Sequence, residues 1–138
     1  MLLAALDVLA RKHPELGALE LANLLHGVDL DERAIEATRR SVFARIQELR
    51  DVQNTDALRA LLSTHIIQGD GLIAQDETFD VVLTNPPYMG TRSMPPSLKQ
   101  HLSKAWRPFH HDLYLAFMRR AFDLAPGGRV GLLTQQTV

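Results

Sequence analysis

The sequence contains no cysteine, which excludes disulfides and thiolate metal sites and is typical of a cytoplasmic protein. It has no apolar run long enough to span a bilayer, and no basic segment leads into an apolar stretch with a cleavage site. We therefore expect a cytoplasmic protein without a membrane partner. Repeats and low-complexity tracts are also absent, and 46% hydrophobic content in 138 residues suits one domain with a core.

One long segment, from Val81 to His111, has no acidic residue, although the whole chain carries a net charge of only −1. Residues 1–80 hold 14 acidic and 8 basic residues, whereas residues 81–138 hold 2 and 7. A polyanion meets less repulsion at the second region, although a chance fluctuation in a loop rich in proline and serine gives the same asymmetry. The Lys and Arg residues of the acid-free segment are Arg92, Lys99, Lys104 and Arg107.

Short apolar runs alternate with amphipathic stretches along the chain, which predicts strands that alternate with helices. The four predicted strands are Leu24–Val28, His65–Gln68, Phe79–Thr84 and Arg129–Thr134. The predicted helices run from the start of the chain to His13, then over Glu15–Asn23, Glu32–Leu49, Asp56–Leu62, Ser97–Lys104 and Asp112–Leu124. The expected N-caps are Asp31, Asp56 and Asp112. This order indicates an α/β fold with a parallel sheet and right-handed crossovers.

Polar residues follow three of the predicted strands, at the edge where an open α/β sheet binds its ligands. Asp29 follows the first strand and can accept from both hydroxyls of a ribose, or it helps Asp31 to cap the next helix. Asp70 follows the second strand, either as a ligand-binding acid or as part of a plain Gly-Asp-Gly turn. Asn85 follows the third strand. We expect no metal site.

The turn after the third strand has the sequence Asn85-Pro86-Pro87-Tyr88 and is stiff, because each proline fixes φ and lacks a backbone donor. The turn therefore offers acceptors: the Asn85 amide oxygen and the Pro86 carbonyl can both accept from one exocyclic amine. Tyr88 adds a flat face for a planar ring, so the arrangement suits a flipped adenine. An ordinary proline-bounded turn is the alternative, and four residues alone do not exclude it.

Asn85-Pro86-Pro87-Tyr88 after a strand resembles the signature of S-adenosylmethionine-dependent methyltransferases that act on exocyclic amines or amides. Two further segments extend the match, namely Met89–Met94 and the stretch from Asp112-Leu113-Tyr114 to Gln136. Together these segments resemble the large adenine-specific DNA methyltransferases of restriction-modification and phage-exclusion (BREX) systems. The resemblance covers essentially the whole chain.

This resemblance implies a Rossmann-like S-adenosylmethionine-dependent methyltransferase fold and methyl transfer to the amine of a flipped adenine in double-stranded DNA. In such an enzyme Asp29 binds the ribose of the cofactor, Leu30 packs on its adenine, and Asp70 accepts from the adenine amino group. The implied catalytic residues are Asn85, Pro86, Pro87 and Tyr88. The residues expected to contact DNA are Arg92, Lys99, Lys104 and Arg107.

Compared with that family, the chain departs at both ends. The family's first motif, a strand followed by Asp-Pro-x-x-Gly-Ser-Gly, is not found, and neither are the last strands or a target-recognition domain. We therefore expect residues 1–138 to be a partial methyltransferase catalytic domain that is inactive alone. Its partners are then the other part of a split enzyme or further defence-system subunits. The alternatives are an inactive remnant that serves in interactions, or a methyltransferase acting on protein glutamine or RNA guanine.

Overall fold

The computed structural model describes residues 1–73, 77–87, 89, 93–105, 107–108 and 112–133. The chain divides into two compact units, Met1–Ala74 and Gln75–Val138. Each unit contains helices and one parallel pair of strands, so the predicted α/β class with parallel strands is confirmed. Within these described ranges, no helix combines the length and the apolar character needed to cross a membrane.

The described residues form six helices and four strands. The first unit contains α1 (Leu2–Lys12), α2 (Ala18–Asn23), β1 (Gly27–Asp29), α3 (Glu32–Leu49), α4 (Thr55–His65) and β2 (Ile66–Gln68). The second unit contains β3 (Val81–Thr84), α5 (Pro96–Ala105), α6 (Leu113–Leu124) and β4 (Arg129–Leu132). The two sheets are therefore formed by β1 with β2 and by β3 with β4.

Short polar side chains define where three of the helices begin. The N-caps Asp31 and Asp112 each accept from a backbone N–H of the first turn at 2.9 Å, as the sequence predicts for α3 and α6. The expected cap of α4 at Asp56 is wrong, because Asn54 accepts from the N–H of Ala57 at 2.9 Å. Asp56 instead lies in the first turn of α4, where a negative charge stabilises the helix dipole.

In the first unit, β1 and β2 pair in parallel, with Gly27 opposite Ile66 and Asp29 opposite Gln68. The strand β1 begins later than the predicted Leu24–Val28, because the N–H groups of Leu24 and Leu25 still bond to carbonyls of α2. The helices of this unit share one apolar core, whose fully buried members include Leu6, Leu21, Val42, Ile46 and Leu58.

One arginine holds the end of α1 and the segment that follows it. Arg50 donates from Nε to the carbonyl of Leu16 at 2.7 Å, and from Nη2 to the carbonyls of Ala10 and His13 at 2.9 and 3.1 Å. The last carbonyls of a helix have no partner within the helix, so a guanidinium that spans several of them stabilises the helix end. This contact joins residues that lie far apart in the sequence.

In the second unit, β3 and β4 pair in parallel, with Val81 opposite Arg129 and Thr84 opposite Leu132. The helix α6 packs against both strands. The turn before β4 requires glycine twice. Gly127 has a positive φ of 78°, and a Cβ at Gly128 would lie 2.6 Å from the carbonyl oxygen of Asp80.

Candidate functional site

The carboxyl ends of β1 and β2 lie side by side in the first unit. The N–H of Gly69 donates to the carbonyl oxygen of Asp29 at 2.9 Å, which continues the parallel pairing beyond β2. Asp29 and Asp70 therefore leave neighbouring strands at the same edge of this sheet. This edge is where α/β folds bind their ligands, so the structure brings together the two acids that the sequence singles out.

Each of these two carboxylates has one oxygen bonded to a nearby backbone N–H. Asp29 Oδ1 accepts from the N–H of Asp31 at 2.9 Å, and Asp70 Oδ1 accepts from the N–H of Leu72 at 3.0 Å. Across the part of the chain that the structure describes, no further hydrogen bond engages either carboxylate. The turn role and the ligand role are thus compatible, because one oxygen stabilises the local turn and the other can accept from a ligand.

Two exposed apolar side chains accompany the two acids. Leu30, next to Asp29, is 69% exposed, and Gln68 Nε2 holds its backbone by donating to the Leu30 carbonyl at 3.0 Å. Ile73 follows Asp70 by three residues and is 61% exposed. Ile73 is not among the residues predicted from the sequence, although the apolar pair Leu72-Ile73 after Gly69-Asp70-Gly71 is a usable signal. Leu30 and Ile73 are apolar surface beside free acceptors, which is what a planar heterocycle with polar edges requires.

The Asn-Pro-Pro turn follows β3 in the second unit. The side chain of Asn85 is exposed, Pro86 is fully buried and Pro87 is exposed, while Tyr88 lies outside the described residues. No described residue forms a hydrogen bond with the Asn85 amide, so its oxygen is available to accept from a ligand. The buried Pro86 ring anchors the turn, because removing it from the core would expose apolar surface.

Both ends of this turn are held by backbone hydrogen bonds. On the β3 side, the N–H of Leu133 donates to the carbonyl of Thr84 at 3.0 Å. On the other side, the N–H of Leu113, the first residue of α6, donates to the carbonyl of Met89 at 3.2 Å. The turn therefore spans two fixed points of the second unit.

Cations of the second unit lie on and after α5. Lys99 and Lys104 are exposed on this helix, Arg107 is exposed just beyond it, and Arg92 lies outside the described residues. Within the described residues, none of the three forms an ion pair or hydrogen bond through its side chain. These cations are available to bind an anion. The residues that the structure describes contain no group of three or more His, Asp or Glu side chains that could hold a metal ion.

The α/β fold with parallel strands and acceptor groups at the strand ends is compatible with a methyltransferase. The family described as "Eco57I restriction-modification methylase" matches residues 23–138. The chain therefore belongs to this family, and the resemblance drawn from the Asn-Pro-Pro-Tyr and Asp-Leu-Tyr segments is confirmed.

Two curated proteins are similar over most of the chain. The Type II methyltransferase M.XhoI of Xanthomonas vasicola is 32% identical over 121 residues, which are 85% of this chain and 22% of that protein. The adenine-specific methyltransferase BrxX of Escherichia coli O9:H4 (strain HS) is 33% identical over 107 residues, which are 78% of this chain and 8% of that protein. The chain thus spans only a small part of the length of either relative.

Proposed function

We propose that this chain carries the catalytic turn of a DNA adenine-N6 methyltransferase with a Rossmann-like fold. The observation that carries the proposal is an exposed Asn85 in a proline-fixed turn at the end of β3, in a chain of a restriction-modification methylase family. The adenine specificity in the name of BrxX supports adenine as the target. The two relatives also favour a role in restriction-modification or phage defence.

The carboxyl edge of β1 and β2 fits the adenosine part of S-adenosylmethionine. Asp29 has an oxygen free for ribose hydroxyls, and Asp70 has one free for the amino group of adenine. Leu30 and Ile73 offer exposed apolar surface for the ring. The cofactor, when bound, supplies an activated methyl group on its sulfonium. Removing this apolar surface from water contributes roughly 25 cal/mol per Å² to binding.

The Asn-Pro-Pro turn suits the chemistry of the target amine. The lone pair of an adenine amine is delocalised into the ring, which makes the amine a poor nucleophile. The Asn85 amide oxygen and the Pro86 carbonyl can accept hydrogen bonds from its two N–H groups and hold those hydrogens out of the ring plane. The lone pair then becomes available for an in-line attack. Acceptors held rigidly before the reaction stabilise the transition state without reorganising, which is electrostatic preorganisation.

Capture of the flipped base is assigned to Tyr88. Extruding a base from the duplex costs a few kcal/mol, and stacking on an aromatic ring contributes roughly 1–3 kcal/mol. The ring face matters more than the hydroxyl, so Tyr88→Phe or Tyr88→Trp retains base capture and Tyr88→Ala weakens it. The remaining binding energy comes from phosphate contacts by cations, for which Arg92, Lys99, Lys104 and Arg107 are the candidates.

The proposal is tested by methylation assays on the protein expressed from its intact gene. The protein is incubated with unmethylated bacteriophage DNA and tritium-labelled S-adenosylmethionine, and the DNA is then digested to nucleosides. We expect label in N6-methyl-2′-deoxyadenosine. Protein extract and total RNA are offered in parallel reactions. Label in glutamine or guanine instead of adenine, or no label in any of the three, contradicts the proposal.

A further inference from the structure

The first turn of α6 has four backbone N–H groups that no helical carbonyl can satisfy. In this chain the cap residue takes three of them. Asp112 Oδ1 accepts from the N–H of Tyr114 at 2.9 Å, and the Asp112 carbonyl accepts from Leu115 and Ala116 at 3.1 and 3.3 Å. The remaining donor is the N–H of Leu113.

The partner of this remaining donor belongs to the segment that follows the Asn-Pro-Pro turn. The N–H of Leu113 donates to the carbonyl of Met89 at 3.2 Å. The positive end of a helix dipole favours a carbonyl oxygen at this place. The first residue of α6 therefore holds the chain one residue beyond Tyr88.

The two prolines limit the backbone hydrogen bonds that the turn can form. Pro86 and Pro87 have no N–H, so they cannot donate any hydrogen bond. The buried ring of Pro86 and the bond from Leu133 to Thr84 fix the side next to β3. The Leu113–Met89 bond is a backbone hydrogen bond on the far side of the turn.

We propose that Asp112 and the backbone N–H of Leu113 are positioning groups for the catalytic turn. By capping α6, Asp112 keeps the Leu113 N–H directed at the Met89 carbonyl, and this bond fixes the far end of the turn. This inference rests on the proposed function for its kinetic consequence. Its structural content, that the start of α6 orders the turn, is independent of any activity.

A pair of substitutions at Leu113 separates the N–H from the side chain. Leu113→Pro removes the donor, and proline is favoured at the first position of a helix, so α6 itself can form. The extended backbone of Asp112, with φ −148° and ψ 132°, is also the conformation preferred before a proline. Leu113→Ala keeps the N–H and truncates the same buried side chain, so it is the matched control.

The structural readout is the order parameter of the Met89 amide from ¹⁵N relaxation. We expect a rigid value of about 0.85 in the wild type and in Leu113→Ala, and a value below about 0.6 in Leu113→Pro. The kinetic readout is single-turnover methyl transfer, which should be about ten- to a hundredfold slower in Leu113→Pro than in Leu113→Ala, with unchanged cofactor affinity. The inference is wrong if Leu113→Pro has the same Met89 order parameter as Leu113→Ala. It is also wrong if Met89 becomes mobile in Leu113→Pro but methyl transfer is as fast as in Leu113→Ala.

Two variants at Asp112 test the cap without touching Leu113. Asp112→Asn preserves an acceptor and should retain the Met89 order parameter, whereas Asp112→Ala should lower it. Asn54→Ala removes the equivalent cap of α4 in the first unit and should leave Met89 unchanged. If Asn54→Ala loosens Met89 as much as Asp112→Ala does, the effect is general destabilisation and the inference is wrong. A wild type that is inactive but shows these order parameters refutes only the proposed function.

Discussion

The two units use their cations in different ways. In the first unit, arginines bond to the protein itself: Arg50 spans three carbonyls, Arg39 donates to the carbonyls of Ser63 and Ile66, and Arg45 pairs with Asp7 at 2.8 Å. In the second unit, Arg119 pairs with Asp123 at 2.6 Å, whereas Lys99 and Lys104 are exposed and, among the described residues, have no partner. Cations that are already paired stabilise a fold, whereas unpaired ones attract an external anion.

The described apolar cores differ in extent. The first unit buries a connected cluster from its helices and β2. Both units leave some large apolar side chains exposed, among them Leu30 and Ile73 in the first and Val81 and Leu83 in the second. The acid-rich half of the sequence therefore coincides with the unit that has the larger described core. The first unit combines this core with the acids proposed to bind the cofactor. The second unit carries the turn and the cations proposed to meet the substrate.

The largest effect is expected from removing the Asn85 amide of the proposed catalytic turn. Asn85→Ala eliminates an acceptor that acts mainly in the transition state, so methyl transfer should slow by about 10²–10³. Cofactor affinity should barely change, because the proposed partner of Asn85 is the target amine and not the cofactor. Single-turnover kinetics and calorimetry with the cofactor measure the two effects, with Asn54→Ala in the first unit as the control. A wild-type rate in Asn85→Ala means that the turn is not the catalytic one.

The role of paired cations in the first unit is tested at Arg50. Arg50→Ala leaves carbonyls at the end of α1 without their donor, and we expect the free energy of unfolding to fall by about 2–3 kcal/mol. Arg50→Lys should restore little of this loss, since one ammonium cannot span carbonyls of three residues. Urea denaturation followed by circular dichroism measures the change. Equal stability of Arg50→Lys and wild type would show that charge alone is sufficient.

One glycine in each unit tests how closely the backbone is packed around it. Gly128→Ala places a Cβ 2.6 Å from the Asp80 carbonyl oxygen, and a backbone atom cannot easily move, so we expect a loss of about 1–3 kcal/mol. Gly27→Ala meets only Ile66 and Leu2 side chains at 3.6 Å, which is ordinary contact, and should be nearly neutral. Thermal denaturation of both variants checks the order. A Gly27→Ala protein less stable than Gly128→Ala contradicts the expectation.

The smallest expected effect concerns single cations on α5. Lys99→Gln and Lys104→Gln should each weaken binding of a DNA duplex and reduce the slope of log K against log salt by about 0.9. Lys12→Gln, an exposed lysine of α1, is the matched control and should leave the slope unchanged. Fluorescence anisotropy at several salt concentrations measures the slopes. If the salt slope changes equally in all three variants, the lysines of α5 contact DNA no more than Lys12 of the first unit does.

Local signals predicted much of this fold. The predicted range of α3 and the predicted cap of α6 agree with the structure, because Asp31 and Asp112 are caps whose partners lie within a few residues. The cap of α4 was predicted at Asp56, two residues after the observed cap Asn54. Asn and Asp are both good N-caps, so the residue type alone does not choose between the two positions. The strand β1 began later than expected because the N–H groups of Leu24 and Leu25 bond back to carbonyls of α2.

By itself, the sequence determined the α/β class, the acids after β1 and β2, the Asn-Pro-Pro turn after β3 and the family. These features depend on residue type and short-range order, which neighbouring residues reveal. Only the tertiary structure decided that Arg50 closes α1, that Pro86 is buried, that Ile73 is exposed beside Asp70, and that Leu113 holds Met89. These contacts depend on how distant segments meet in space. The local sequence of either segment does not reveal that the two segments come into contact.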